Sequence, residues 1–130
     1  MQLLDSAQPP LAQLQFANAV ADVAALRTRL ALLGLDAQHI GVPSGRLSGG
    51  ERLKAVLACA FYRDPPAHLL LLDEPDNHLD LDARAALRLV LLQYPGARLV
   101  VSHDAAFLDG LCLVDTRLQA DPDGWRLAPW

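Results

Sequence analysis

A chain of 130 residues, 52% hydrophobic and 20% charged, holds one globular domain or a large piece of one. Its net charge of −4 and single lysine, Lys54, argue against autonomous nucleic-acid binding, which needs clustered basic side chains to displace counterions; the ten arginines are scattered over expected helix faces. No apolar run nears the ~20 residues of a membrane span, no signal-peptide layout opens the chain, and Cys59 and Cys112 lie in apolar stretches without CxxC spacing, so a cytoplasmic chain with two buried, reduced thiols is expected.

Pro9-Pro10 can open a helix but not sit inside one, and Leu11 to Ala21 reads as a weak helix. Val23, Leu26, Leu30 and Leu33 then recur at spacings of three and four, an amphipathic stripe closed by Gly34. Asp36 to Arg46 is a polar connector. A second patterned helix follows, with Leu53, Val56, Leu57, Ala60 and Phe61 on one face and Pro65-Pro66 as its stop. His68 to Leu72 is a short, bounded apolar run, as expected of a strand buried on both faces. Residues 82–93 read as a helix with Leu87, Val90 and Leu91 inward, Leu99 to Val101 as a second buried strand, and Ala105 to Leu108 as a helical turn. Leu111 to Asp115 and Trp125 to Ala128 read as strands, with Asp121-Pro122-Asp123-Gly124 turning between them. The expected class is α/β, with a helical subdomain over 1–66 and a partial, mostly parallel sheet core with a C-terminal hairpin over 67–130.

Ser48-Gly49-Gly50-Glu51 fits a capping box, in which Ser48 accepts from the N–H of residue 51 and Glu51 reaches back to the N–H of Ser48. Each glycine costs a helix roughly 1 kcal/mol relative to alanine. Close approach of a phosphate to the bare N–H groups at the positive helix end would explain that cost, and a plain cap is the alternative.

Asp73 and Glu74 follow four leucines and so emerge at the carboxyl end of a strand, the edge where open α/β sheets place ligands. Asp73 suits Mg²⁺ and Glu74 suits a general base on an attacking water; two exposed loop residues are the alternative. His103 follows the next strand after one helical crossover. Such units are right-handed and parallel, so Asp73, Glu74 and His103 should share one sheet edge.

At these residues the chain resembles the ABC-type ATPases. Leu47–Glu51 is similar to their signature motif, Leu69–Glu74 to the Walker B strand with its catalytic glutamate, and Val101-Ser102-His103-Asp104 to the switch histidine. Glu74-Pro75-Asp76-Asn77-His78-Leu79-Asp80 resembles the Glu-Pro-Thr-Asn-His-Leu-Asp of the ABC-F branch, soluble proteins with two nucleotide-binding domains, many of which act on the ribosome. Asp76 departs from the usual threonine and adds a negative charge close to the expected γ-phosphate. The resemblance implies that Ser48, Gly49 and Gly50, with Glu51 beside them, meet the γ-phosphate of ATP held by the opposite domain of a head-to-tail pair. Asp73 would organise Mg²⁺, Glu74 would be the base, Asp80 would cross the dimer interface, and His103 would sense the γ-phosphate.

No Gly-x-x-x-x-Gly-Lys-Ser/Thr loop occurs, and Gln2 is only a faint counterpart of the family's glutamine loop. The resemblance therefore implies the C-terminal portion of a P-loop-type domain, the second of two, with a sheet incomplete without the Walker A strand. Phosphate contacts of the missing kind are worth roughly 1.5–3 kcal/mol each. Lacking about four of them predicts ATP binding weaker by ~10⁴-fold or more, and no hydrolysis by the chain alone. In the family the missing strand lies between the His103 strand and the one near 111–115, so unpaired edges invite a homodimer, a swapped assembly or direct pairing across the gap. Expected partners are the upstream half of the domain or a second ABC domain, with the ribosome implied by resemblance alone and no membrane. Other readings are the C-terminal lobe of a chromosome-structural or repair ATPase, a transporter subunit, and a non-enzymatic piece that offers Ser48 to another protein's ATP.

Overall fold

The computed structural model describes residues 4–112 and 117–128. Helix α1, Pro10–Ala17, is shorter than the expected 11–21. Asn18 ends it, because its Oδ1 accepts from the N–H groups of Val20 and Ala21 and turns the chain out of the helix. Helix α2, Val23–Leu32, is capped by Asp22, and its stripe buries Leu26 and Leu30 while Val23 stays exposed. The connector holds a one-turn helix, α3 (Ala37–Ile40), capped by Asp36, and a 3₁₀ turn at Ser44–Arg46. Helix α4, Gly49–Phe61, starts at Ser48 as its capping box requires.

Strand β1 (Leu69–Asp73), helix α5 (Leu81–Gln93) and strand β2 (Ala97–Val101) form the parallel crossover unit that the sequence anticipates, in register from Leu69 opposite Ala97 to Asp73 opposite Val101. Helix α6 is Ala105–Gly110, and strands β3 (Arg117–Asp121) and β4 (Gly124–Ala128) form an antiparallel hairpin. Gly124 sits at φ +129°, a conformation that side chains rarely adopt, just after the Pro122-Asp123 turn.

Two hydrophobic cores meet along α4. Ala55 and Ala58 pack with Leu14, Leu26, Leu30 and Leu35 on the helical side. Leu57 and Phe61 pack with Leu70, Leu87, Leu91 and Phe107 on the sheet side. Each fully buried leucine contributes about 1.5–3 kcal/mol by leaving water.

Further expectations are corrected. β1 and β2 are not buried on both faces: Leu70, Leu72 and Val100 join the core, whereas Leu71 is 68% and Leu99 59% exposed, with Leu69 and Val101 beside them. Side chains alternate across a strand, and helices cover only one side of this pair among the described residues. The third strand does not begin at Leu111, which is buried at the C-cap of α6; it begins at Arg117, and 113–115 lie outside the described residues. Among the described residues β2 pairs with β1 and β3 with β4; the expected pairing of the His103 strand with the one near 111–115 falls mostly outside them. Cys112 is also exposed rather than buried, while burial pushes the half-buried Cys59 thiol up to about 11.

Candidate functional site

Strand β1 ends at Asp73, and the backbone then makes a sharp turn. Glu74 takes φ +48°, uncommon for a residue with a side chain, and its N–H donates to the Val101 carbonyl at 2.7 Å. The turn swings the Glu74 side chain toward the end of β2. Its Oε2 accepts from the His103 N–H at 3.3 Å, and its Oε1 lies 3.3 Å from His103 Nε2. Oε1 is buried yet has no hydrogen-bond partner, while the His103 ring is 97% exposed. Asp73 is exposed beside them. The structure thus brings Asp73, Glu74 and His103 to one sheet edge.

Asp76 faces the other way. Its carboxylate is buried, 2% exposed, and accepts from the Ser102 hydroxyl at 2.9 Å. The sequence places this charge near the expected γ-phosphate; the structure turns it into the protein.

At the start of α4 the Glu51 N–H donates to Ser48 Oγ at 3.3 Å and the Ser48 N–H donates to Glu51 Oε2 at 2.8 Å. In the cap Ser48 Oγ accepts, and its own hydroxyl proton turns either to the Glu51 carboxylate or to an outside anion. Ser48 and Gly49 are exposed, and nothing lies within 4 Å of where a Gly49 Cβ would stand. Gly50 has a different reason to be glycine, since its Cβ would stand 3.1 Å from the His78 carbonyl. The Ser48 N–H, followed by the Ser48 side chain, holds the Glu51 carboxyl below its usual range. Glu51 Oε1 also lies 3.1 Å from His39 Nε2, and His39 Nδ1 lies 2.7 Å from Asp36 Oδ1. Sequence reasoning missed His39, which shows no signal beyond its place in a polar connector.

Asp80 caps α5. Its Oδ1 accepts from the Ala83 N–H at 2.7 Å and its Oδ2 from Lys54 Nζ at 3.1 Å, contacts that hold the carboxyl below its usual range in that order. This cap was legible in Asp80-Leu81-Asp82-Ala83 and was missed. Lys54 and Gly50 thus pack α4 against the 77–80 loop. No hydrogen bond or ion pair among the described residues joins the Ser48 tip to the Glu74–His103 pair, so the chain carries two separate surfaces.

These residues fit a nucleotide with Mg²⁺. The Glu74 carboxylate, whose Oε1 has no hydrogen-bond partner, the exposed Asp73 carboxylate and the exposed Ser48 hydroxyl beside open space at Gly49 match the donors and acceptors that such a group needs.

A signature-like helix tip with a strand-end carboxylate–imidazole pair marks an ABC-type ATPase domain. Residues 3–77 match the ABC transporter family model, and the chain belongs to that family. The chain is 44% identical over 103 residues to the probable ATP-binding protein YheS of Escherichia coli K12, covering 76% of this chain and 16% of YheS. It is 42% identical over 81 residues to the energy-dependent translational throttle protein EttA of Mycobacterium tuberculosis H37Rv, covering 62% of this chain and 14% of EttA. Both relatives are of the ABC-F branch. The solved structure of RNase-L Inhibitor superimposes with a TM-score of 0.73 over 99% of this chain and 26% of that one, at 24% identity, and shares the fold.

Proposed function

We propose that this chain supplies two half-sites to ATP binding and hydrolysis in an ABC-F-type ATPase. The observation that carries the reading is the Glu74 carboxylate, with no hydrogen bond at Oε1, held 3.3 Å from His103 Nε2 at the shared edge of β1 and β2. Glu74 takes the proton of the attacking water. His103, fully accessible, orients toward the γ-phosphate. Asp73 would hold Mg²⁺, which when bound would neutralise charge developing on the phosphoryl oxygens. Ser48, Gly49 and Gly50 complete the site of an opposite domain, donating the Ser48 hydroxyl proton and the first N–H groups of α4, with Glu51 fixing the tip and Asp80 beside the interface. The partner is a phosphate-loop half, a second ABC domain, or another copy able to present one. A ribosomal setting follows only from relatives such as EttA, whose name ties that protein to translation.

With no phosphate loop in its 130 residues, the chain alone neither binds ATP measurably nor hydrolyses it. Mixing it with a purified phosphate-loop domain of a relative should restore hydrolysis, and Glu74→Gln should abolish that gain while leaving the fold intact. Turnover by the chain alone that survives Glu74→Gln after repurification would overturn the reading. The exposed Ser48 tip favours a second reading, in which the chain only lends Ser48 to a partner's ATP. In that case Glu74→Gln would spare the restored hydrolysis and Ser48→Ala would remove it.

A further inference from the structure

Four side chains tie the turn after β1 to the turn after β2. The Ser102 hydroxyl donates to Asp76 Oδ1 at 2.9 Å, and the Asp104 N–H donates to Ser102 Oγ at 3.0 Å. Arg84, from the first turns of α5, reaches both. Its Nη1 donates to Asp104 Oδ2 at 2.7 Å, and its Nη2 lies 3.5 Å from the Asp76 carbonyl and 3.9 Å from Asp76 Oδ2. Asp104 Oδ1 accepts from the Phe107 N–H, which anchors the far side in α6.

We infer that Arg84 is a positioning residue: together with Asp76, Ser102 and Asp104 it clamps the glutamate turn to the histidine turn and so sets the approach of Glu74 to His103. Their role in hydrolysis rests on the reading above. Glu74 lies two residues before Asp76, and His103 lies between Ser102 and Asp104. The pair's own contacts are two 3.3 Å approaches, one of them to a ring that stands in solvent. Such contacts sit at the long end of the hydrogen-bond range, and the one to the ring is open to water, so on their own they hold the pair loosely. Three clamp contacts are shorter, at 2.7, 2.9 and 3.0 Å, and one planar guanidinium faces both turns, close to Asp104 and 3.5–3.9 Å from Asp76.

Asp76 is the reason the clamp must close. Where the family pattern has a neutral threonine, this chain buries a carboxylate, and a buried charge is tolerated only when paired and hydrogen-bonded. Ser102 and Arg84 supply both. Asp76 therefore serves the neighbouring turn instead of repelling a nucleotide.

The test uses the full chain without nucleotide, so its failure leaves the hydrolysis reading standing, and failure of that reading leaves this result standing. Stability is read by urea unfolding of wild type, Arg84→Ala, Asp76→Thr and the double variant. Exchange of the His103 amide, whose proton Glu74 accepts, is read against the β1–β2 ladder amides, with Glu74→Ala as the unprotected control. Arg84→Ala should raise the unfolded-to-folded ratio about tenfold, because it strands Asp76. Asp76→Thr should recover most of that loss in the double variant, because the stranded charge is gone. His103 should exchange about tenfold faster in both while the ladder stays protected, since the Asp104 limb is still missing. Arg84→Lys keeps the charge without the fork, so it should restore stability but not His103 protection, and it serves if Arg84→Ala does not fold. Additive effects of Asp76→Thr and Arg84→Ala, or wild-type His103 protection in Arg84→Lys, would overturn the inference.

Discussion

On the proposed reading one Ser48 hydroxyl serves both the cap and a partner's phosphate, and substitutions separate the two. Ser48→Ala removes the acceptor for the Glu51 N–H and should destabilise the chain by about 1 kcal/mol, read by urea unfolding. Ser48→Asp keeps an acceptor, and its charge favours the helix end, so stability should hold at the wild-type level. It has no proton to donate and would repel a phosphate, so restored hydrolysis with a phosphate-loop partner should vanish. Gly96 tests packing alone: a Cβ there would stand 2.5 Å from the Ala67 carbonyl and 3.0 Å from the His68 carbonyl, both backbone. Gly96→Ala should therefore destabilise by about 1–3 kcal/mol. The capping box was legible because its four residues are consecutive. The orientation of Asp76 was not, because Arg84 and Ser102 reach it from eight and twenty-six residues away.

At the scale of elements, three starts rest on carboxylates held below their usual range: Asp36 by the Gln38 N–H at α3, Glu51 by the Ser48 N–H at α4, and Asp80 by the Ala83 N–H at α5. A carboxyl depressed in the folded state stabilises fully above its unfolded value, and the contribution is lost as pH falls through the folded value. Thermal unfolding followed by circular dichroism should therefore show a midpoint that drops below about pH 4. The combined Asp36→Asn, Glu51→Gln, Asp80→Asn variant should start lower and show a shallower acid limb. Element types were readable from periodicity: the stripe of α2 and the strand–helix–strand unit stand where the spacing puts them. Burial of the strands was not, because a short leucine run looks the same whether one face is covered or two. Residues 69–73 expose alternate leucines.

Over the whole molecule, that uncovered face is the largest departure from an ordinary parallel sheet, which is covered on both sides. Leu69, Leu71, Leu99 and Val101 present a contiguous apolar strip. Sedimentation should show association that grows with concentration, and Leu71→Lys with Leu99→Lys should reduce it without loss of helix content. Family membership, fold class and the shared edge of Glu74 and His103 were all legible, since each depends on motif order and crossover handedness. The two-core layout was not, because it requires knowing that α4 faces both ways.

That double-faced helix has a mechanical consequence. Its thirteen residues make a rod about 20 Å long with Ser48 at the tip and Phe61 in the far turn, where Phe61 meets Tyr94 at 6.3 Å between ring centroids. Close-packed interiors are stiff, so a rod gripped on both flanks tilts as a lever instead of bending. The tip that carries Ser48 is therefore held at a set reach from the core that seats Phe61 and Leu70.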